Sequence, residues 1–205
     1  MALAEKSLSL FLEEVARTSP TVPAGGCVVG LAGALAASLG RLVCALTSRK
    51  ADDPGKLRRL RAMGERLELL QRRCLALMDQ DMEACESLFQ AKLRLSRARS
   101  GRGDQGGLKE AARALVEPPV ALARCGLELL RIALELVEQG NPTARADAGV
   151  AAEMANGCAR GGLWIARANL GALEEGLRKS HAETLDHLEV QLEALYGRVS
   201  QEMGR

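Results

Sequence analysis

Four aromatic residues, Phe11, Phe89, Trp164 and Tyr196, are all that a chain of 205 contains, too few to build a stacking platform for nucleobases. Two histidines, His181 and His187, both in a charged C-terminal stretch, offer no metal-ligand set. The six cysteines, at positions 27, 44, 74, 85, 125 and 158, form no CxxC pair. Lying among apolar residues at helical spacing, they read as small core residues of a reduced protein. Charge of one sign is also lacking. The formal net charge is +2, and acidic residues surround the Arg and Lys clusters at 56–61 and 92–102, as on a solvated face. The opening MALAEKSLSLFLEEVARTS carries Glu5, Glu13 and Glu14 within an amphipathic pattern instead of a signal peptide's unbroken apolar run. Cytoplasm is the expected location, with no nucleic-acid or membrane partner.

With 47% apolar and 26% charged residues the chain is globular, and its length fits a single domain over 1–205. Apolar residues recur with a period near 3.6 almost throughout, and no stretch alternates as a strand would. The reading is an all-α bundle of long, partly kinked helices. The pattern predicts helices over about 5–18, 25–48 and 54–97, then a glycine-rich loop at 100–107. A fourth helix starts near Leu108 and must bend or restart at Pro118-Pro119, because proline lacks the helical N–H. It ends at Gly140. Asn141-Pro142 is a favourable start for the next helix, expected to reach about Gly176, and a last one covers about 180–202. Helices this long and apolar leave surface that one thin bundle does not cover, which predicts a homodimer.

Thr21 to Thr47 is the most informative stretch. Pro23, Gly25 and Gly26 open a segment of small apolar residues, and unpaired N–H groups at a helix start favour a carboxylate or phosphate. Gly26, Gly30, Gly33, Ala37 and Gly40 follow at three- and four-residue spacing, a stripe against which another helix can lie closely. Ala24 to Gly40 is free of charge, yet its length is at the lower limit of about 17–25 residues for a membrane span, and Arg41 follows at once. A buried helix glycine-rich for packing alone is the simpler alternative.

Two carboxylates interrupt apolar faces. Leu60, Leu67, Cys74, Asp81, Leu88 and Leu95 share one heptad line, on which Asp81 is the single charge. It must be paired, hydrogen-bonded or protonated, or its seam must drift towards water. Asp147 shares a face with Val150, Ala151, Met154, Cys158 and Ile165, and Asn169 lies on the same face. On a straight helix Asp147 and Asn169 are roughly 33 Å apart, so one site using both needs a partner helix or a second subunit.

These segments resemble a known family, the methenyltetrahydrofolate cyclohydrolases and formiminotetrahydrofolate cyclodeaminases. Phe11-Leu12-Glu13-Glu14, Ser19-Pro20-Thr21, Pro23 to Val28 and Leu31 to Leu35 are similar to the family's N-terminal run with its Pro-Gly-Gly-Gly-Ser turn. Leu77-Met78-Asp79-Gln80-Asp81 and Ala91-Lys92-Leu93 resemble its aspartate-bearing helix and the Ala-x-Lys-Leu-Pro stretch that follows. Pro119-Val120 through Gly140-Asn141, Asp147 to Ala152 and Asn169-Leu170 match its later segments. Ala24 stands in place of the first turn glycine, Cys27 in place of serine and Arg94 in place of proline. Ser48 to Asp52 replaces a Gly-Lys-Lys-x-Tyr stretch.

The resemblance implies folate one-carbon chemistry: either water adds to the amidinium carbon of 5,10-methenyltetrahydrofolate, or N10 attacks a formimino carbon and ammonia leaves. Asp147 or Asp81 would be the acid-base group or the partner of the cation. The Gly25-Gly26-Cys27 helix start, Lys50, Lys92 and Asn169 would bind substrate. No metal and no cofactor beyond the folate is implied. The alternative is a catalytically impaired helical dimer that binds folate or another protein.

Overall fold

The structure, a computed structural model, describes residues 3–18, 23–97 and 105–205, and every element among them is helical. A 3-10 turn at Leu3–Glu5 precedes α1 (Leu8–Val15), α2 (Gly25–Ser48), α3 (Pro54–Arg97), α4 (Gln105–Ala114), α5 (Glu117–Gln139), α6 (Arg145–Asn169) and α7 (Glu175–Met203).

Small residues decide how these helices meet. A Cβ at Gly126 of α5 would lie 2.7 Å from the Ala159 Cα, and one at Gly162 of α6 would lie 2.7 Å from the Ala123 nitrogen, so the two backbones touch. The predicted stripe on α2 faces α3, where a Cβ at Gly40 would meet Leu67 at 3.1 Å and one at Gly30 the Cys74 carbonyl oxygen at 3.0 Å. Against α6, Gly25 meets Ile165, Val29 meets Gly161 and Gly33 lies beside Cys158. Helices α2 and α6 therefore run antiparallel. The largest core joins α2, α3, α5, α6 and α7 through Val43, Leu67, Leu77, Leu122, Leu130, Leu163, Leu185 and Leu192. At the rim, Arg66 pairs with Glu128, Arg160 with Glu193 and Arg167 with Asp186 and Glu189. Such exposed pairs orient helices more than they stabilise them.

The predicted bounds of α2 and α3 hold, and α3 is one uninterrupted helix of 44 residues. Other bounds move for local reasons. The first helix begins at Leu8 because the Ser7 hydroxyl caps the Leu10 N–H, and it ends at Val15. Of the expected loop, 100–104 lies outside the described residues, while 105–107 already belong to α4. The helix restarts before the two prolines, at Glu117. Asn141 does cap, but it caps a 3-10 turn at Pro142–Ala144 that leads into α6. Helix α6 ends at Asn169 and not near Gly176, because Leu170–Ala172 tightens into 3-10 geometry, and α7 starts earlier than expected, at Glu175.

Among the described residues α2 is long and apolar enough to cross a membrane, with mean hydropathy 1.9, but half of that stretch is buried against the protein's own helices.

Candidate functional site

Asp81 sits where the heptad pattern puts it, on the buried side of α3, and it is only 4% exposed. Its carboxylate lies against the first turn of α2, so close to Gly26 that a Cβ there would overlap it. No arginine pairs with it, no hydrogen bond to it is made among the described residues, and the seam does not carry it to water. Burial alone raises its pKa from 3.8 to about 6. The positive end of the α2 dipole offsets part of that desolvation. The anion at this helix start is thus the protein's own.

Around it, only Gly25 of the predicted glycine turn is exposed. Gly26 is buried, and Cys27 is fully buried with its thiol donating to the Met78 carbonyl oxygen at 3.5 Å. Burial raises the Cys27 pKa to about 11, so this thiol is no nucleophile near neutral pH. Leu3, Phe11, Cys27 and Met78 form a small cluster over this end. The Leu3 N–H donates to Asp79 Oδ1 at 2.9 Å, which ties the N-terminal segment to α3. Asp79 was legible only as part of the family-like Met78-Asp79-Gln80-Asp81 string; nothing in its spacing announced this contact.

Asn169, at the end of α6, lies at this same end, since α6 ends where α2 begins. Its Nδ2 donates to the Leu115 carbonyl oxygen at 3.1 Å, closing the junction between α4 and α5. At the opposite end Lys50 Nζ donates to Asn141 Oδ1 at 3.2 Å. Asn141 is buried, its N–H donates to Thr47 Oγ1 at 2.9 Å, and its Oδ1 also caps Thr143. Asp147 follows in the first turn of α6, half-buried. Neither Asp147 nor Asp81 has an ion pair among the described residues.

The candidate residues therefore fall into two groups at the two ends of α2, about 37 Å apart from Gly25 to Lys50. Asp81, Gly25, Gly26, Cys27 and Asn169 form one group; Lys50 and Asp147 form the other. Lys92 joins neither. It is exposed on α3, about 17 Å along the helix from Asp81. Among the described residues no three His, Cys, Asp or Glu side chains are arranged to hold a metal ion.

The described residues thus form an all-helical domain with two unpaired carboxylates and a glycine-lined helix start. Comparison with known proteins places this helical domain in a family. The family model for formiminotransferase-cyclodeaminase matches residues 7–187, and the chain belongs to that family. It is 29% identical over 147 residues to the methenyltetrahydrofolate cyclohydrolase of Methylorubrum extorquens, covering 71% of this chain and 70% of that one. The crystal structure of formiminotetrahydrofolate cyclodeaminase from Thermotoga maritima superposes with a TM-score of 0.87 at 25% identity, over 98% of this chain and 96% of that one. The expected all-α fold and family are both met.

Proposed function

We propose that this chain is a cytoplasmic folate enzyme, first of all a methenyltetrahydrofolate cyclohydrolase, working as a homodimer without metal or further cofactor. The observation that carries the reading is the pair of unpaired carboxylates, Asp81 and Asp147, set among apolar residues at helix starts. A carboxylate in such surroundings stabilises the bound amidinium cation. It also accepts a proton of the water that adds to the amidinium carbon between N5 and N10. The bond from that carbon to N5 then breaks as N5 takes up one of the water's two protons, the added hydroxyl becomes the formyl carbonyl, and 10-formyltetrahydrofolate leaves with the other proton released to solvent. A pKa near neutrality, as burial confers on Asp81, suits a group that must both take and return a proton.

Asp147 is the better placed of the two to touch substrate, because it is half-exposed while Asp81 is closed over by α2. Gly25 would offer its exposed backbone to a folate carbonyl. The lysine ammonium groups of Lys50 and Lys92 would meet folate carboxylates, and Asn169 would orient the ring end. Since Asp81 already occupies the anion-favouring helix start, the cationic end of the substrate belongs there and the anionic tail belongs to lysine.

The cyclodeaminase reaction, in which N10 attacks the formimino carbon and ammonia departs, is the second reading; the close superposition on the Thermotoga maritima enzyme favours it. Decay of the methenyltetrahydrofolate absorbance with purified protein decides. Acceleration over the blank, reduced about 100-fold or more by Asp147→Asn, is the expected result. Ammonia release from formiminotetrahydrofolate without that decay would select the second reading. Folate binding with neither reaction would leave a module that lost its chemistry with the Ala24 and Cys27 changes.

A further inference from the structure

Lys50 lies just beyond the end of α2, exposed to solvent, and its ammonium is nevertheless held in one place. Its backbone N–H donates to the Thr47 carbonyl oxygen at 3.1 Å. The Thr47 hydroxyl oxygen accepts from the Asn141 N–H at 2.9 Å, and the Asn141 side-chain oxygen accepts from Lys50 Nζ at 3.2 Å, which closes a ring of hydrogen bonds. The ring is anchored in the core. Thr47 and Asn141 are 3% and 6% exposed, and the Thr47 hydroxyl donates in turn to the Val43 carbonyl oxygen at 2.7 Å. A lysine on its flexible four-carbon stem loses rotamer freedom whenever it grips a ligand. Here that freedom is surrendered on folding, before any ligand arrives.

The nature of the acceptor matters as much as its place. Lys6 is held by Glu14 at 2.6 Å and Lys109 by Glu174 at 2.7 Å, so in both the charge is cancelled where it is fixed. Lys50 is held by a neutral amide, which fixes the ammonium and leaves its charge intact. The same amide oxygen also accepts from the Thr143 N–H and hydroxyl at 3.1 and 2.9 Å, so it is shared among three donors. An ammonium has three N–H donors. Among the described residues Lys50 spends one of them, on Asn141, and forms no ion pair. Asp147, in the first turn of the helix to which the Asn141 turn leads, does not neutralise it either.

From this we propose that Asn141 is a positioning residue for substrate binding. It holds the Lys50 ammonium, still charged and with donors to spare, where it takes a carboxylate of the substrate. Asn141 itself acts only through Lys50. Since that carboxylate lies away from the carbon that reacts, the contact is equally strong before and in the transition state, and it acts on KM and not on kcat. The part concerning substrate rests on the folate reading above; the pairing of Asn141 with Lys50 does not.

Two substitutions separate this role from a purely structural one, because they rank in opposite orders for stability and for binding. Asn141→Ala removes the acceptor, and the KM for the folate that is turned over is expected to rise about 5-fold as the lysine becomes free to move. Asn141→Asp keeps the cap and the acceptor and is the more stable variant, but its carboxylate neutralises the ammonium, so KM is expected to rise about 10-fold or more. In both, kcat is expected to change by less than about 2-fold, and the Kd for tetrahydrofolate to follow KM. In a Lys50→Met background Asn141→Ala is expected to leave KM where Lys50→Met alone puts it. A KM for Asn141→Asp at or below that of Asn141→Ala, or a full further rise when Asn141→Ala is added to Lys50→Met, overturns the proposal. Thermal melts without substrate judge the pairing separately: Asn141→Ala is expected to lower Tm by about 1–2 °C less in the Lys50→Met background than in the wild type. Equal losses overturn the pairing. A wild type that neither binds nor turns over either folate refutes the proposed function instead, and the melts still decide whether Asn141 holds Lys50.

Discussion

The carboxylate of Asp81 occupies the space in which any side chain at position 26 would have to sit. One residue explains the other: a glycine is needed at the start of α2 because α3 delivers a carboxylate there, and the carboxylate is buried because α2 closes over it.

Gly26→Ala is therefore expected to cost about 1–3 kcal/mol of stability through overpacking, and Gly26→Leu more, measured by urea denaturation. In the double variant Gly26→Ala/Asp81→Ala much of that loss should return, because the overlapping atoms are gone. Additive losses would show that the two side chains do not compete for one space.

The raised pKa of Asp81 has a pH signature. Between its ordinary 3.8 and about 6 the folded protein holds a proton that the unfolded chain has released. Stability from this group therefore falls as pH rises through that window, and the deficit is complete above it, at about 2–3 kcal/mol. Asp81→Asn is expected to flatten the dependence and to be the more stable protein at pH 7. Urea titrations of both proteins at pH 4, 5, 6 and 7 measure this; parallel curves would refute it.

Asn141 links the last turn of α2 to the start of α6 through Thr47, Thr143 and Lys50. Its replacement by alanine removes the cap and leaves Lys50 without this acceptor, with an expected loss of about 1–2 kcal/mol. Asn141→Asp keeps an acceptor for both and should lose less. Thermal melts of the two variants rank them.

Burial protects the thiols. Five of the six cysteines are buried, and burial raises the pKa of Cys27, Cys44 and half-buried Cys85 to about 11. A disulfide reagent at pH 8 is expected to titrate at most Cys85 in the native protein and all six thiols in guanidinium chloride. Rapid native reaction of two or more would contradict the packing of the helical core.

The helices were legible because burial against several neighbours imposes a 3.6-residue period, clearest in α2 and α3. Their ends were less so wherever a 3-10 turn intervened, as at Pro142–Ala144 and Leu170–Ala172, since three-residue turns carry no periodic signal. Asp81 stood out in the sequence as a charge on an apolar line. That it would be unpaired did not, because whether an arginine of another helix reaches it depends on how helices distant in sequence are placed. Lys50 showed the reverse: a lysine in a polar stretch gave no hint of its bond to Asn141, 91 residues away.

By itself, the sequence determined the helical class, the small-residue stripe of α2 and the family likeness, all of which follow from local spacing and residue type. Tertiary structure alone decided that Gly26 faces Asp81, and that the candidate residues divide between the two ends of α2. It also left the apolar face of α2 and α6 uncovered. Those are consequences of antiparallel packing of α2 against α3 and against α6, segments far apart in the sequence, and no periodicity within any of them encodes the direction in which they meet.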